Sequence, residues 1–211
     1  MATSTQALIE ETKGAAKEVL LHNARGPYED LPRSAAWGYP EPYTRDLMIA
    51  SFGILADGDR YLVASLGRVL ESLANNQSEL GHIASLAHNS EDRGASDTTP
   101  LFLIALALYR KATGQLGFLD GAGCKALCWM KYQSPSDRVI VAQQPTSDWR
   151  DEQWVLGFGL YVNTLVYTYL RLFGQHERAS DLKASVNRSV IKPESIPRHI
   201  PEGLVVRRMP Y

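Results

Sequence analysis

The sequence predicts an all-α protein assembled from paired helices, and three observations carry that prediction. Helix-length apolar or amphipathic runs follow one another over residues 47–57, 61–75, 100–113, 123–132, 153–173 and 177–188. No stretch alternates apolar and polar residues over a useful strand length; only Val139-Ile140-Val141-Ala142 has strand character. Acidic residues stand at the start of three apolar runs, 51 residues apart from Asp46 to Asp97 and 54 from Asp97 to Asp151. Each interval holds two helices, a markedly apolar one and a more amphipathic one, as in 47–57 followed by 61–75. A period of about 50 residues made of helix pairs is the pattern of helical-hairpin repeats. With the apolar helix of each pair on the inside, the three acidic clusters fall at one end of an inner row.

Each element follows from its local chemistry. Residues 6–25 form an amphipathic first helix. Gly26-Pro27, Pro32, Gly38, Pro40 and Pro42 then break the pattern too often for helix or central strand. That loop also holds Tyr28, Trp37, Tyr39 and Tyr43. Such aromatics either line a sugar site, since pyranose rings stack their C–H faces on aromatic rings, or pin the loop to the surface. The run 154–173 is long enough to raise a membrane span, but Asn163, Thr164, Thr168 and Arg171 interrupt it. A helix apolar around most of its circumference also suits the inside of a helical protein, and the polar residues favour that reading. Cys124 and Cys128, one helical turn apart, read as buried free thiols, since no further thiol or paired histidine offers metal spacing. The tail, with Pro193, Pro197, Pro201 and Pro210, reads as extended.

Bulk properties exclude several function classes. A chain of 211 residues, 45% hydrophobic and 21% charged, is expected to form one globular domain spanning residues 1–211. A net charge of −1 with scattered Lys and Arg gives no footprint for nucleic acid or an anionic membrane. The polar start and scarce cysteine point to the cytoplasm rather than secretion. No cofactor or metal site is expected; His82 and His88 have poor ligand spacing and read as structural or peripheral.

The acidic clusters suit glycoside chemistry. Hydrolysis of a glycosidic bond needs two carboxyl groups flanking it, one donating a proton and the other attacking or activating water. The same site needs polar groups for sugar hydroxyls and aromatic walls. Arg45 with Asp46, then Asp97, then Asp148-Trp149-Arg150-Asp151-Glu152 supply those types. The competing reading is helix capping: Thr99 is a good N-cap with Pro100 in the first turn, and Asp46 and Asp151 sit where the helix dipole favours negative charge. Three acids in phase, with Trp and Arg beside them, shift the balance toward a site.

At these residues the chain resembles a known superfamily. Tyr43-Thr44-Arg45-Asp46-Leu47-Met48-Ile49-Ala50 resembles the arginine–aspartate helix start of amylo-α-1,6-glucosidase (glycogen-debranching) domains and related toroid glycosidases. Gly94-Ala95-Ser96-Asp97-Thr98-Thr99-Pro100-Leu101-Phe102 resembles the Asp-Ala-Thr-Pro-Leu-Phe motif of the same domains, and is similar to the aspartate-led inner helix of alkaline/neutral invertases. Asp148-Trp149-Arg150-Asp151-Glu152 resembles the tryptophan–aspartate loop of trehalases, debranching enzymes and processing glucosidases. The matches span residues 37–174 in the expected order.

The resemblance implies an (α/α) toroid of helical hairpins acting on α-glucosides or similar sugars, generally with inversion. The invertase pattern puts the general acid on Asp97; the debranching and trehalase pattern puts it on Asp151. Arg45 and Asp46 would then hold the terminal sugar, with Trp149 as a wall and Trp37, Tyr39, Tyr43, Asp148, Arg150 and Glu152 completing the substrate site. A full (α/α)6 barrel is considerably longer than 211 residues, and its second carboxylate lies in the C-terminal half. The chain is therefore expected to form about half of such a barrel. Glu177, Asp181, Glu194 and Glu202 offer no good catalytic base. The expectation is a carbohydrate-binding, self-associating chain, most simply a homodimer, with little or no hydrolysis of its own.

Overall fold

A computed structural model describes residues 4–35, 38–135, 139–150, 154 and 157–189, and these form seven helices and no strand. Helix α1 is Thr5–Asn23, α2 Thr44–Asp57, α3 Arg60–Asn75, α4 Thr98–Thr113, α5 Asp120–Tyr132, α6 Leu160–Leu172 and α7 His176–Ser189. The all-α expectation holds. Val139–Ala142 builds no strand; the next residue, Gln143, makes an isolated bridge with Gly157.

Local chemistry sets the boundaries. The Ser4 hydroxyl accepts the Ala7 N–H at 3.2 Å to start α1, and the Asp59 carboxylate accepts the Tyr61 and Leu62 N–H groups to start α3. Helices α2 and α4 both end on a left-handed glycine, Gly58 and Gly114. Leu62, Leu66, Val69, Leu70 and Leu73 give α3 one buried face at helical spacing. Helix α4 is buried almost all round from Thr98 to Leu106, which explains its run of apolar residues.

Helix α4 packs between α2 and α6. Helix α3 returns against α2 and touches α4, α5 returns against α4, and α7 against α6. Three hairpins thus stand in a row, α2/α3, α4/α5 and α6/α7, with α2, α4 and α6 side by side. Their shared core includes Met48, Leu70, Phe102, Leu103, Leu106, Val162, Val166, Tyr169 and Leu170, all essentially without solvent contact. Helix α1 lies outside this row and is mostly exposed. Ion pairs from Lys17 to Asp57 (2.8 Å) and Asp59 (3.0 Å) tie it to the α2–α3 turn.

Two sequence expectations are corrected. The run 153–173 does not become one helix, because α6 starts only at Leu160. Gly157 takes φ +105, which side-chain-bearing residues rarely adopt, and pairs with Gln143 instead of entering the helix. Cys124 and Cys128 are free and exposed rather than buried, because α5 turns Gly123, Ala126 and Met130 to the core and leaves both thiols outside. Among the described residues no helix is long and apolar enough to cross a membrane.

Candidate functional site

The N-terminal ends of α2, α4 and α6 are stitched to one another by the loops that precede them. At α2, the Thr44 N–H donates to the Ser85 carbonyl (2.8 Å) and its hydroxyl to the Ala84 carbonyl (2.7 Å). The Asp92 carboxylate accepts the N–H groups of Ser85 and Leu86, so the loop before α4 folds back across the start of α2. The same loop is fastened to α4. The Thr98 hydroxyl donates to the Ile83 carbonyl (2.7 Å), and the Thr99 hydroxyl accepts the Ile83 N–H (3.1 Å). Gly94 allows this closeness, because a Cβ there would run into the Ile83 carbonyl and the His82 ring.

The third loop, before α6, joins in turn. The Ser96 N–H donates to the Ser147 carbonyl at 2.7 Å, and the Gln144 N–H donates to the Ser96 hydroxyl at 3.1 Å. Asn163, buried in α6, holds the far side of this loop. Its carbonyl accepts the Val141 N–H (2.8 Å) and its amide donates to the Val141 carbonyl (2.9 Å).

A buried ion pair lies among the three helix starts. Asp97 occupies the N-cap position of α4, yet its carboxylate caps nothing. It accepts instead from the Arg45 guanidinium, from Nε at 2.6 Å and from Nη2 at 3.3 Å. Asp97 has no solvent exposure and the Arg45 side chain only 18%. Burial pushes the Asp97 carboxyl above its ordinary value, against the pull of Arg45. Tyr161, in the first turn of α6, stands near the pair. Burial, and then the negative charge of Asp97, push its phenol far above the ordinary tyrosine value.

Above this pair opens a cavity of about 650 Å³, lined by all three loops. Tyr43 and Arg45 come from the α2 start, Ser96 and Thr98 from the α4 start, and Gln144 and Ser147 from the α6 loop. On one side His82 stacks on Trp129 of α5, with ring centroids 4.7 Å apart and planes at 15°. Both rings line the cavity, as does Arg93. His82 Nε2 lies 3.1 Å from the Ala95 carbonyl, which can only accept, so Nε2 carries the proton and Nδ1 is the acceptor. Burial holds the His82 pKa below its ordinary value, and the ring is neutral near pH 7.

The sequence-predicted residues divide. Arg45, Asp97 and Tyr43 are brought together, although Asp97 lies beneath Arg45 and does not itself line the cavity. Asp46, one residue beyond Arg45, is exposed and borders a separate, mostly apolar cavity beside Val19, Leu47, Leu62 and Val69. Tyr39 is exposed and meets Tyr43 edge-on at 6.2 Å. Asp148 is buried and accepts from the Arg150 backbone N–H (2.8 Å), from Arg150 Nη2 (2.6 Å) and from Gln143 Nε2 (2.9 Å). Burial pushes Asp148 up, but these hydrogen bonds outweigh it and hold the carboxyl below its ordinary value. Arg150 also lies over the Trp149 ring at 5.7 Å, and neither residue is in the cavity lining. Trp37, Asp151 and Glu152 lie outside the described residues.

Sequence reasoning missed Trp129, Arg93, Ser147 and Gln144, and set His82 aside as a poor metal ligand. Ser96 lay inside a quoted motif without being singled out. Only the rarity of tryptophan, four in the chain, could have drawn attention to Trp129. Among the described residues no group of three or more His, Cys, Asp or Glu is placed to hold a metal ion. A scan against protein families and a comparison with curated proteins each give no match to this chain.

Proposed function

We propose that this chain is a sugar-binding unit of the α/α-toroid glycoside hydrolase type. The observation that carries the reading is the cavity lined by the starts of α2 and α4 and by the loop segment 141–147 that precedes α6. It combines an aromatic pair, hydroxyl and amide groups, and a guanidinium fixed by a buried carboxylate. Small-ligand sites have this make-up: concave, mostly apolar walls with a few convergent polar groups. A pyranose offers the matching surfaces, C–H faces for the Trp129–His82 ledge and hydroxyls for Ser96, Ser147 and Gln144.

The row of hairpins supports the toroid part of the reading. Inner helices standing side by side, each with a return helix outside it, are half of what an (α/α)6 ring needs. In such a ring the flank of α2 is covered by another inner helix. On α2, Ile49 and Phe52 are 47% and 42% exposed. Apolar stripes of this kind favour association, so a two-fold dimer follows from the same reading.

Among the described residues no Asp or Glu lines the cavity, and Asp97 is sealed behind Arg45. Asp97 acts here as a positioning residue that fixes Arg45. The general-acid role then passes to Asp151, as the trehalase-like motif implies. Binding without turnover is the second reading, favoured by the lack of a carboxylate among the described lining residues. Thermal shift with glucose, maltose, trehalose and sucrose tests the binding, since a ligand that binds only the native state raises its stability. Assays on aryl α-glucosides, sucrose and trehalose test the chemistry. Little or no turnover is expected; robust turnover abolished by Asp151→Asn establishes the hydrolase, and unchanged stability with every sugar removes the binding reading.

A further inference from the structure

Resting on the sugar-site reading, we propose that Gln77, outside the cavity, is a positioning residue for it: Gln77 clamps the turn 78–82 onto α5 and so sets the His82 ring against Trp129. The two rings come from different elements, His82 from the loop between α3 and α4 and Trp129 from the return helix α5. They nevertheless lie 4.7 Å apart with planes at 15°. A near-parallel stack of that kind requires the loop and the helix to keep one fixed register. Gln77 supplies a hydrogen-bonded link between them. Its Nε2 donates to the Gly81 carbonyl at 3.0 Å and to the Ala122 carbonyl of α5 at 3.1 Å, which uses both hydrogens of the amide.

The turn that Gln77 clamps is closed on itself. The Ser78 hydroxyl accepts the His82 N–H at 2.8 Å, the Ser78 N–H donates to the His82 carbonyl at 3.0 Å, and the Gly81 N–H donates to the Ser78 carbonyl at 2.9 Å. The turn therefore moves as one piece and carries the His82 backbone with it. Its seat is the stretch of α5 that leads to Trp129. Gly81 takes φ +103 and lies so close to the Lys125 carbonyl that a Cβ would collide with it. In a helix the carbonyl of residue 125 accepts the N–H of residue 129, so this contact falls on the helical turn that carries the indole. Without the Gln77 amide, the bonds within the turn stay, but the turn is free to shift on α5. The Ala122 carbonyl keeps its own helical donor, so the loss falls on the ring pair and not on the helix. A ring pair held in place beforehand lowers the ordering cost of binding a sugar.

The test reads the ring pair itself by nuclear magnetic resonance of the full chain. Protons held over an indole face are shifted upfield, so the His82 ring C–H signals, assigned by their loss in His82→Gln, report the stack. In Gln77→Met, which keeps the side-chain length and removes the amide, they should move downfield. Gly81→Ala pushes the same turn off α5 by another route and should move the same signals the same way. Asp59→Ala removes the cap at the other end of α3; it lowers stability and should leave the signals in place. Circular dichroism verifies the fold of each variant. Calorimetric titration with glucose, maltose, trehalose and sucrose follows. The affinity for a sugar that binds should fall roughly three- to tenfold in Gln77→Met, the cost of ordering a loosened side chain, and hold in Asp59→Ala. His82 signals that stay fixed in Gln77→Met, or that move while affinity is unchanged, overturn the positioning role. No binding of any of the four sugars by the wild type overturns the sugar-site reading, and the ring signals alone then decide whether Gln77 sets the pair.

Discussion

Asp97 stands at a helix start, where a carboxylate ordinarily accepts the N–H groups of the first turn, yet it turns to Arg45 from the neighbouring helix. A carboxylate without solvent contact is tolerated only while its partner is in place, and removing one member of a buried pair leaves the other charge uncompensated. Asp97→Asn is expected to cost about 3 kcal/mol in urea denaturation. Arg45→Lys should recover only part of the pair, because an ammonium cannot reproduce the two-pronged contact. Asp148 gives a pH signature of known sign. Its folded pKa is depressed, so its contribution is present above the unfolded carboxylate value of roughly 4 and is lost as pH falls through the lower folded value. Asp148→Asn should therefore be about 2 kcal/mol less stable than the wild type near neutrality, with the gap narrowing as pH falls below the unfolded carboxylate value. The residue types at these positions were legible in the sequence, but their partners were not. Nothing in the order Tyr43-Thr44-Arg45-Asp46 says that Arg45 turns inward while Asp46 faces outward.

Among the elements, α6 shows how a loop can be positioned from inside a helix. Asn163 looked in the sequence like a polar residue that argues against a membrane span; in the fold its amide holds both backbone groups of Val141. Asn163→Ala leaves that buried N–H and carbonyl without partners, at a cost of about 2–3 kcal/mol. The loop bearing Gln144 and Ser147 should loosen first, read as faster amide exchange over residues 139–148 with α3 unaffected. Helix existence was predictable from apolar periodicity, and six of the seven helices fall within a few residues of their sequence-based ranges. The seventh, α6, lost its first turns because a glycine conformation and a loop-to-loop bridge compete with helix between 157 and 159, and apolarity alone cannot register that competition. The thiols of α5 were misplaced for a related reason: a helix with small residues on its inner face leaves its cysteines outside.

At the scale of the molecule, three hairpins share one core, and the starts of α2 and α4 meet the loop before α6 at one cavity. The acidic clusters whose spacing suggested a common site do not meet there: Asp46 borders another cavity and Asp97 lies beneath Arg45. The aromatic ledge was not legible, because Trp129 sits on a return helix and His82 in a loop, and their meeting depends on how hairpins stack. The open α2 flank makes an oligomeric-state prediction. Sedimentation should show a dimer that dissociates in Phe52→Asp with little change in circular dichroism, and a monomer unaffected by that substitution would count against the association. The most direct measurement of the central claim is a sugar titration followed through the tryptophan indole N–H signals by nuclear magnetic resonance. The account predicts that the Trp129 signal moves saturably with a binding sugar while that of the exposed Trp154 stays in place, and that Trp129→Ala abolishes binding without unfolding the chain. Indole signals that stay fixed with every sugar tried would contradict it.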